Sequence, residues 1–116
     1  ADQNVDHAQA MLGYLYESGQ GVPQDYGQAA GLYRLAAEQG AGKAQLNLAR
    51  LYAEGLGVTK DYAEAYVWFS LAATDRRYPD DAEKAGKARD FLATQLPPAK
   101  LSQAQARIAA WRPTRP

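Results

Sequence analysis

The sequence predicts an all-α fold: an α/α solenoid of antiparallel helix pairs, with about six helices over 116 residues. Three observations lead there. Residues 8–38 repeat as residues 44–74 at a shift of 36, with no gap. Within each copy, apolar residues recur at spacings of three and four, the period of a helix with one buried face. Asp, Gly and Pro stand where such helices would start and stop. A fixed period of roughly 20–50 residues means stacked supersecondary units, each too small to bury its apolar face alone.

The repeat is literal. Ala8, Gln9, Leu12, Leu15 and Tyr16 return as Ala44, Gln45, Leu48, Leu51 and Tyr52. Gly19, Gly21, Val22, Asp25 and Tyr26 return as Gly55, Gly57, Val58, Asp61 and Tyr62. In the first helix, Asp6 and Gln9 form a capping box, and Ala8, Leu12, Leu15 and Tyr16 make the apolar stripe. Gly19 ends it, because glycine adopts the left-handed conformation of a helix stop without penalty. Asp25-x-x-Gln28 caps the second helix, whose inner face is Ala29, Leu32, Tyr33, Ala36 and Ala37. Asp61-x-x-Glu64 does the same for the fourth, with Ala65, Trp68, Phe69, Ala72 and Ala73 inside. The alanines allow close backbone approach, and the aromatic rings fill the space beside them.

A third unit is altered. AGKAQLNLAR at 41–50 recurs as AGKARDFLAT at 85–94, displaced by 44, so about eight residues are inserted around 74–81. Asp80-x-x-Glu83 after Pro79 places the start of this helix early, with its end near Leu96. Pro97-Pro98 breaks the chain and suits the opening of a last helix. Leu101, Ala104, Ile108 and Trp111 share its inner side, and Lys100, Gln103 and Arg107 give the polar outer face a terminal cap requires. The expected limits within one domain are about 6–40 and 42–76 for the repeats and 80–111 for the closing pair. Residues 112–116 carry no packing signal.

Composition narrows the function. No apolar run approaches the ~20 residues of a membrane helix, so no membrane insertion is expected. Thirteen basic residues balance thirteen acidic ones, which argues against nonspecific nucleic-acid binding. The balance hides a gradient: residues 1–33 carry four acidic side chains and no Lys or Arg, while 87–116 are basic. Without cysteine there is no disulfide, thiolate zinc site or thiol catalysis. The opening Ala1-Asp2-Gln3 points to something removed upstream, either a signal peptide or the rest of a larger protein. The compartment stays open between cytoplasm and, after such a signal, periplasm or exterior.

No catalytic, cofactor or metal residues are expected. Gly19-x-Gly21 and Gly55-x-Gly57 follow helices rather than strands, so they read as turns and not as phosphate loops. His7 is the only histidine and reads as a solvated first-turn residue. Asp75, Asp80, Asp81 and Glu83 fit no calcium-loop spacing, and Asp80 reads as a helix cap.

The pattern Ala8-x-x-x-Leu12-Gly13-x-x-Tyr16-x-x-Gly19-x-Gly21-Val22-x-x-Asp25-x-x-x-Ala29, with Ala36-Ala37-x-x-Gly40, resembles the Sel-one-like repeat family of tetratricopeptide-related solenoids. Trp68 matches the family tryptophan; Ala49, where the family has Gly, and Arg50 depart from it. The resemblance spans residues 6–111 and implies a bacterial scaffold that binds a protein or peptide partner, with no shared catalytic site. It also implies that the first helix of each unit lines the concave face. That places His7, Ala10, Tyr14, Glu17 and Ser18 there, then Lys43, Leu46, Arg50 and Glu54, then Lys87, Asp90 and Thr94. Tyr14, Leu46 and Arg50 are the expected partner anchors, with Lys43 and Lys87 steering acidic groups. Another reading is a self-assembling module, in which an acidic front meets the basic back of the next copy in a homo-oligomer. A remote third is a hydrolase or a β-lactam-binding protein, although the relatives linked to β-lactams carry disulfides that this chain lacks.

Overall fold

The computed structural model describes residues 3–114, with side chains described from His7 onward. Six helices run in order: α1 (Gln3–Ser18), α2 (Tyr26–Glu38), α3 (Gly42–Glu54), α4 (Tyr62–Ala72), α5 (Pro79–Gln95) and α6 (Pro98–Ala110), with no strand among the described residues. They form an α/α solenoid in which α1 packs on α2, α2 on α3, α3 on α4, and α4 on both α5 and α6. Its extents are 42 × 27 × 25 Å. The core holds the alanines of α2 and α4, with Tyr33, Leu48, Leu51, Val67 and Trp68 between them.

The doubled phrase builds the same corner twice. Gly19 and Gly55 have φ of 73° and 71°, and the N–H groups of Gln20 and Leu56 return to the carbonyls of Leu15 and Leu51. Asp25 then caps α2 by accepting from the Gln28 N–H, and Asp61 caps α4 by accepting from Ala63 and Glu64. The cap's own N–H is satisfied differently from a capping box. Asp25 N donates to Tyr16 O at 2.8 Å and Asp61 N to Tyr52 O at 3.0 Å. Each cap therefore ties the two helices of its pair together, as well as opening the second one.

Several boundaries differ from the expectation. Helix α1 begins at Gln3, so Asp6 lies inside the helix and is not its N-cap; the Asp6 side chain lies outside the described residues. The N-cap of α5 is Tyr78, with Pro79 first in the helix, which puts Asp80 in the first turn, where a carboxylate suits the positive end of the helix dipole. The tail also packs: Thr114 N donates to Glu38 O at 2.7 Å, strapping the end of the chain to the end of α2. Residues 115 and 116 lie outside the described part. Leu12, expected in the core, is 40% exposed, whereas its counterpart Leu48 is fully buried. The reason is position: Leu48 has the first pair against it, and among the described residues no helix packs on that side of α1.

Candidate partner-binding groove

Helices α1 and α3, with the link before α5, frame an open groove of about 640 Å3. His7, Ala10, Met11 and Tyr14 come from α1, at the spacing of one helix face. Ala41, Gly42, Lys43, Ala44 and Asn47 come from the start of α3, and Arg77 and Tyr78 from the link. Three of its large side chains are open to solvent, Met11 at 54%, Tyr14 at 51% and Tyr78 at 44%.

The link is fixed by one carboxylate. Asp75 accepts from Arg77 Nε and Nη2, both at 3.1 Å, and from the Arg77 backbone N–H at 2.9 Å. It also accepts from the N–H of Gly42. Ala41, the N-cap residue of α3, has no side chain that can cap, so Asp75 supplies the missing acceptor from across the unit. The approach is close enough that a Cβ at Gly42 would come within 2.0 Å of Asp75 Oδ2. Burial raises the Asp75 pKa, but the hydrogen bonds and charge of Arg77 and the Gly42 N–H outweigh it and hold the carboxyl below its ordinary range. Above this anchor, Lys43 Nζ sits 5.7 Å and Arg77 Cζ 6.0 Å from the Tyr78 ring centre, within cation–π range.

A second polar cluster links α1 to α2 and α3. Tyr33, fully buried, donates its hydroxyl to Glu17 Oε1 at 2.8 Å. The other oxygen of Glu17 pairs with Arg50, whose Nη1 also lies 3.8 Å from Glu54. Burial, then the Glu17 hydrogen bond and charge, push the Tyr33 hydroxyl well above the usual tyrosine range. The phenol is thereby held in its neutral, donating form towards Glu17.

Of the residues singled out from the sequence, the structure brings Tyr14 and Lys43 together in the groove, with His7 and Ala10. Glu17, Arg50 and Glu54 are joined in the ion cluster. Leu46 is half-buried against the core. Lys87 and Asp90 lie on α5, away from this groove, paired with Glu83 at 3.3 Å and Arg89 at 3.0 Å. Met11, Asn47, Arg77 and Tyr78, and the small residues Ala41, Gly42 and Ala44, line the groove without having been named for it from the sequence. Met11 was accessible to sequence reasoning, standing four after His7 and three before Tyr14 on one face. Tyr78 was not, because it lies in the inserted stretch with no repeat counterpart. Among the described residues no group of three or more His, Asp or Glu side chains is placed to hold a metal ion.

A family model of the Sel1 repeat matches residues 6–40 and 42–75. The chain belongs to the Sel1 repeat family. Two solved structures share the Sel1 fold and are bacterial. One is a protective antigen present in uropathogenic Escherichia coli strains that displays an SLR fold; it is 36% identical, with a TM-score of 0.83 over 91% of this chain and 22% of that one. The other is a Sel1 repeat protein from Oxalobacter formigenes, 32% identical, with a TM-score of 0.70 over 95% of this chain and 45% of that one. This chain thus spans less than half the length of either. No curated protein is a significant match.

Proposed function

We propose that this Sel1 repeat protein is an interaction scaffold whose α1–α3 groove holds a short segment of a partner protein. Sel1 repeats are generally protein-interaction modules, and the shape and lining of the α1–α3 groove support contact there. The observation that carries this reading is the set of three solvent-open side chains, Met11, Tyr14 and Tyr78, around one concave surface. Solenoid packing does not require large apolar groups there.

The groove is built on two helices and a link pinned by Asp75, so a partner would meet a surface already in shape and lose little entropy in ordering it. Tyr14 would be the anchor, a rigid amphipathic side chain of the kind that dominates interface energies. Lys43 would draw an acidic group, since its ammonium lies over the Tyr78 ring rather than against a carboxylate. Arg50 serves differently from Tyr14, because Glu17 and Glu54 already occupy it; it ties α3 to α1.

The test is selection of peptides from a displayed library on the whole protein, followed by binding to the Tyr14→Ala/Lys43→Ala variant. Loss of ten-fold or more in affinity on a folded variant is the expected result. Peptides that bind the variant as tightly as the parent would remove the groove from consideration.

A further inference from the structure

The groove between α1 and α3 has a shape and a polarity that narrow what can lie in it. Its floor is small: Ala10 on α1, with Gly42 and Ala44, both buried, on α3. Its rim is large: Met11 and Tyr14 on one side and Tyr78 on the other, each about half open to solvent. Small residues below and bulky ones at the sides let a helix axis come within the roughly 8–10 Å at which helices pack. From His7 to Tyr14 the groove runs about 10 Å, two turns at ~1.5 Å of rise per residue. Both walls are helices whose backbone groups are bonded internally, so an extended segment finds no edge to pair with. A helix satisfies its own backbone and needs donors only for the carbonyls of its last turn.

The two ends of the groove differ in charge. Helices α1 and α3 are the first helices of successive pairs and run in the same direction. Where they start, Lys43 and Arg77 flank the Tyr78 ring and His7 faces them from α1. The amino end of the α3 dipole adds to this positive side. The carboxylate beneath it, Asp75, is taken up by Arg77 and the Gly42 N–H. Where the helices end, Arg50 meets two carboxylates, Glu17 and Glu54, and the negative ends of both dipoles lie there too. Asn47 stands between the two ends and makes no side-chain hydrogen bond to a described residue, so its amide can both donate and accept.

Resting on the reading of this groove as the partner site, we propose that its occupant is an amphipathic helix of the partner, lying antiparallel to α1 and α3. Its first turn, the positive end of its dipole, faces Glu17 and Glu54. Its last turn brings carbonyl groups and one carboxylate side chain to Lys43, His7 and Asn47. Apolar residues at i, i+3, i+4 and i+7 cover Met11, Tyr14 and Tyr78, as in other helix-in-groove docking. A helix of the opposite sense would set its negative end beside Glu54 and its positive end beside Lys43, like charge facing like.

Two displayed libraries, selected on the whole protein, test this. One holds helical peptides of about 14 residues fixed by i,i+4 side-chain bridges; the other holds linear peptides kept extended by regularly spaced prolines. The helical library should give binders that lose about ten-fold or more in affinity on the folded Tyr14→Ala/Lys43→Ala variant. A nitroxide on the C-terminal end of the tightest binder should broaden the backbone amide signals of Lys43 and Ala44, and one on its N-terminal end those of Arg50 and Glu54. Lys43→Glu should weaken the same peptide about ten-fold, and a lysine in place of the peptide's last-turn acid should restore binding to that variant. Binders that depend on Tyr14 and Lys43 from the linear library alone overturn the helix and leave the groove as a docking site. Broadening with the two ends exchanged also overturns the proposal. Groove-dependent binders from neither library remove both the helix and the reading on which it rests.

Discussion

Helices α2 and α4 hold the same place in successive repeats and live in different surroundings. In α2 one stripe is buried, Ala29, Ala30, Tyr33, Ala36 and Ala37. In α4 every residue from Ala65 to Ala72 is buried. The cause is what stands around them: α2 packs against α1 and α3, whereas α4 is enclosed by α3, α5 and α6. The sequence follows the surroundings. Where α2 carries an exposed Gly31 and the half-buried Leu32, expected inside, and Arg34, α4 carries Val67, Trp68 and Ser70, all buried. A repeat therefore records two things, the fold in its shared letters and its place in the stack in the letters that change.

Substitutions at paired positions can break or sharpen that contrast. The largest difference is expected at Trp68, which is 4% exposed and packs edge-on against Trp111 at 6.5 Å between ring centres. Trp68→Ala should cost about 3–5 kcal/mol in denaturant unfolding, the range of a large-to-small change in a closed core. Leu32→Ala, at the half-buried counterpart, should cost about 1 kcal/mol. Equal losses would mean that the two helices are enclosed alike. Next comes the corner glycine. Both Gly21 and Gly57 have positive φ, 79° and 74°, so alanine at either is strained by roughly 1–2 kcal/mol. Only Gly57→Ala must also push the corner off the amino end of α2, because a Cβ there would lie 2.3 Å from the Tyr26 carbonyl group. Its melting temperature should therefore fall clearly further.

Much of this was legible in the sequence, and the limits have physical causes. The period, the Asp caps of α2 and α4, the glycine stops and the prolines at the starts of α5 and α6 are local chemistry, and together they gave the number and order of the helices. Neighbours decide the rest. The start of α1 could not be read from Asp6, because a capping pattern allows a helix start without requiring one, and the helix already begins at Gln3. Leu12 has the same local pattern as Leu48, and only the missing neighbour exposes it. In the groove, Tyr14 and Lys43 could be placed by helical spacing alone. Tyr78 and Arg77 could not, since the inserted link has no periodicity and its position is set by Asp75 reaching the start of α3. Nor could spacing reveal that Arg50 is held by Glu17.

A smaller contrast concerns the ring at the centre of each pair. Tyr33 and Phe69 are matched positions, but Glu17, which accepts from the Tyr33 hydroxyl, is matched by Ala53. Phe69→Tyr would bury a hydroxyl with no Glu17 to receive it, at a cost of about 1–3 kcal/mol. Tyr33→Phe loses one hydrogen bond but leaves Glu17 its ion pair with Arg50, so about 0.5–1.5 kcal/mol is expected. Adding Ala53→Glu to Phe69→Tyr should restore part of the loss. A double variant no better than the single would show that the partner is not what distinguishes the two positions.

The smallest effect is expected at Asp75, and it is set by pH. Its counterpart in the first repeat is Gln39, which does not titrate. Because the folded-state pKa of Asp75 lies below the unfolded one, its ionised form contributes stability that is fully present above roughly pH 4 and is lost as pH falls through the depressed value. Asp75→Asn keeps an acceptor for the Gly42 N–H but loses the charge opposite Arg77. At pH 7 the variant should be less stable by about 0.5–1 kcal/mol, the scale of a partly exposed pair. The gap should close as the pH falls through the depressed value, below which the parent carboxyl is also neutral. Melting curves of the parent and Asp75→Asn from neutral to acid pH read this directly. A gap between Asp75→Asn and parent that stays constant with pH would mean that the side chain's shape, and not its charge, holds the link beneath the groove.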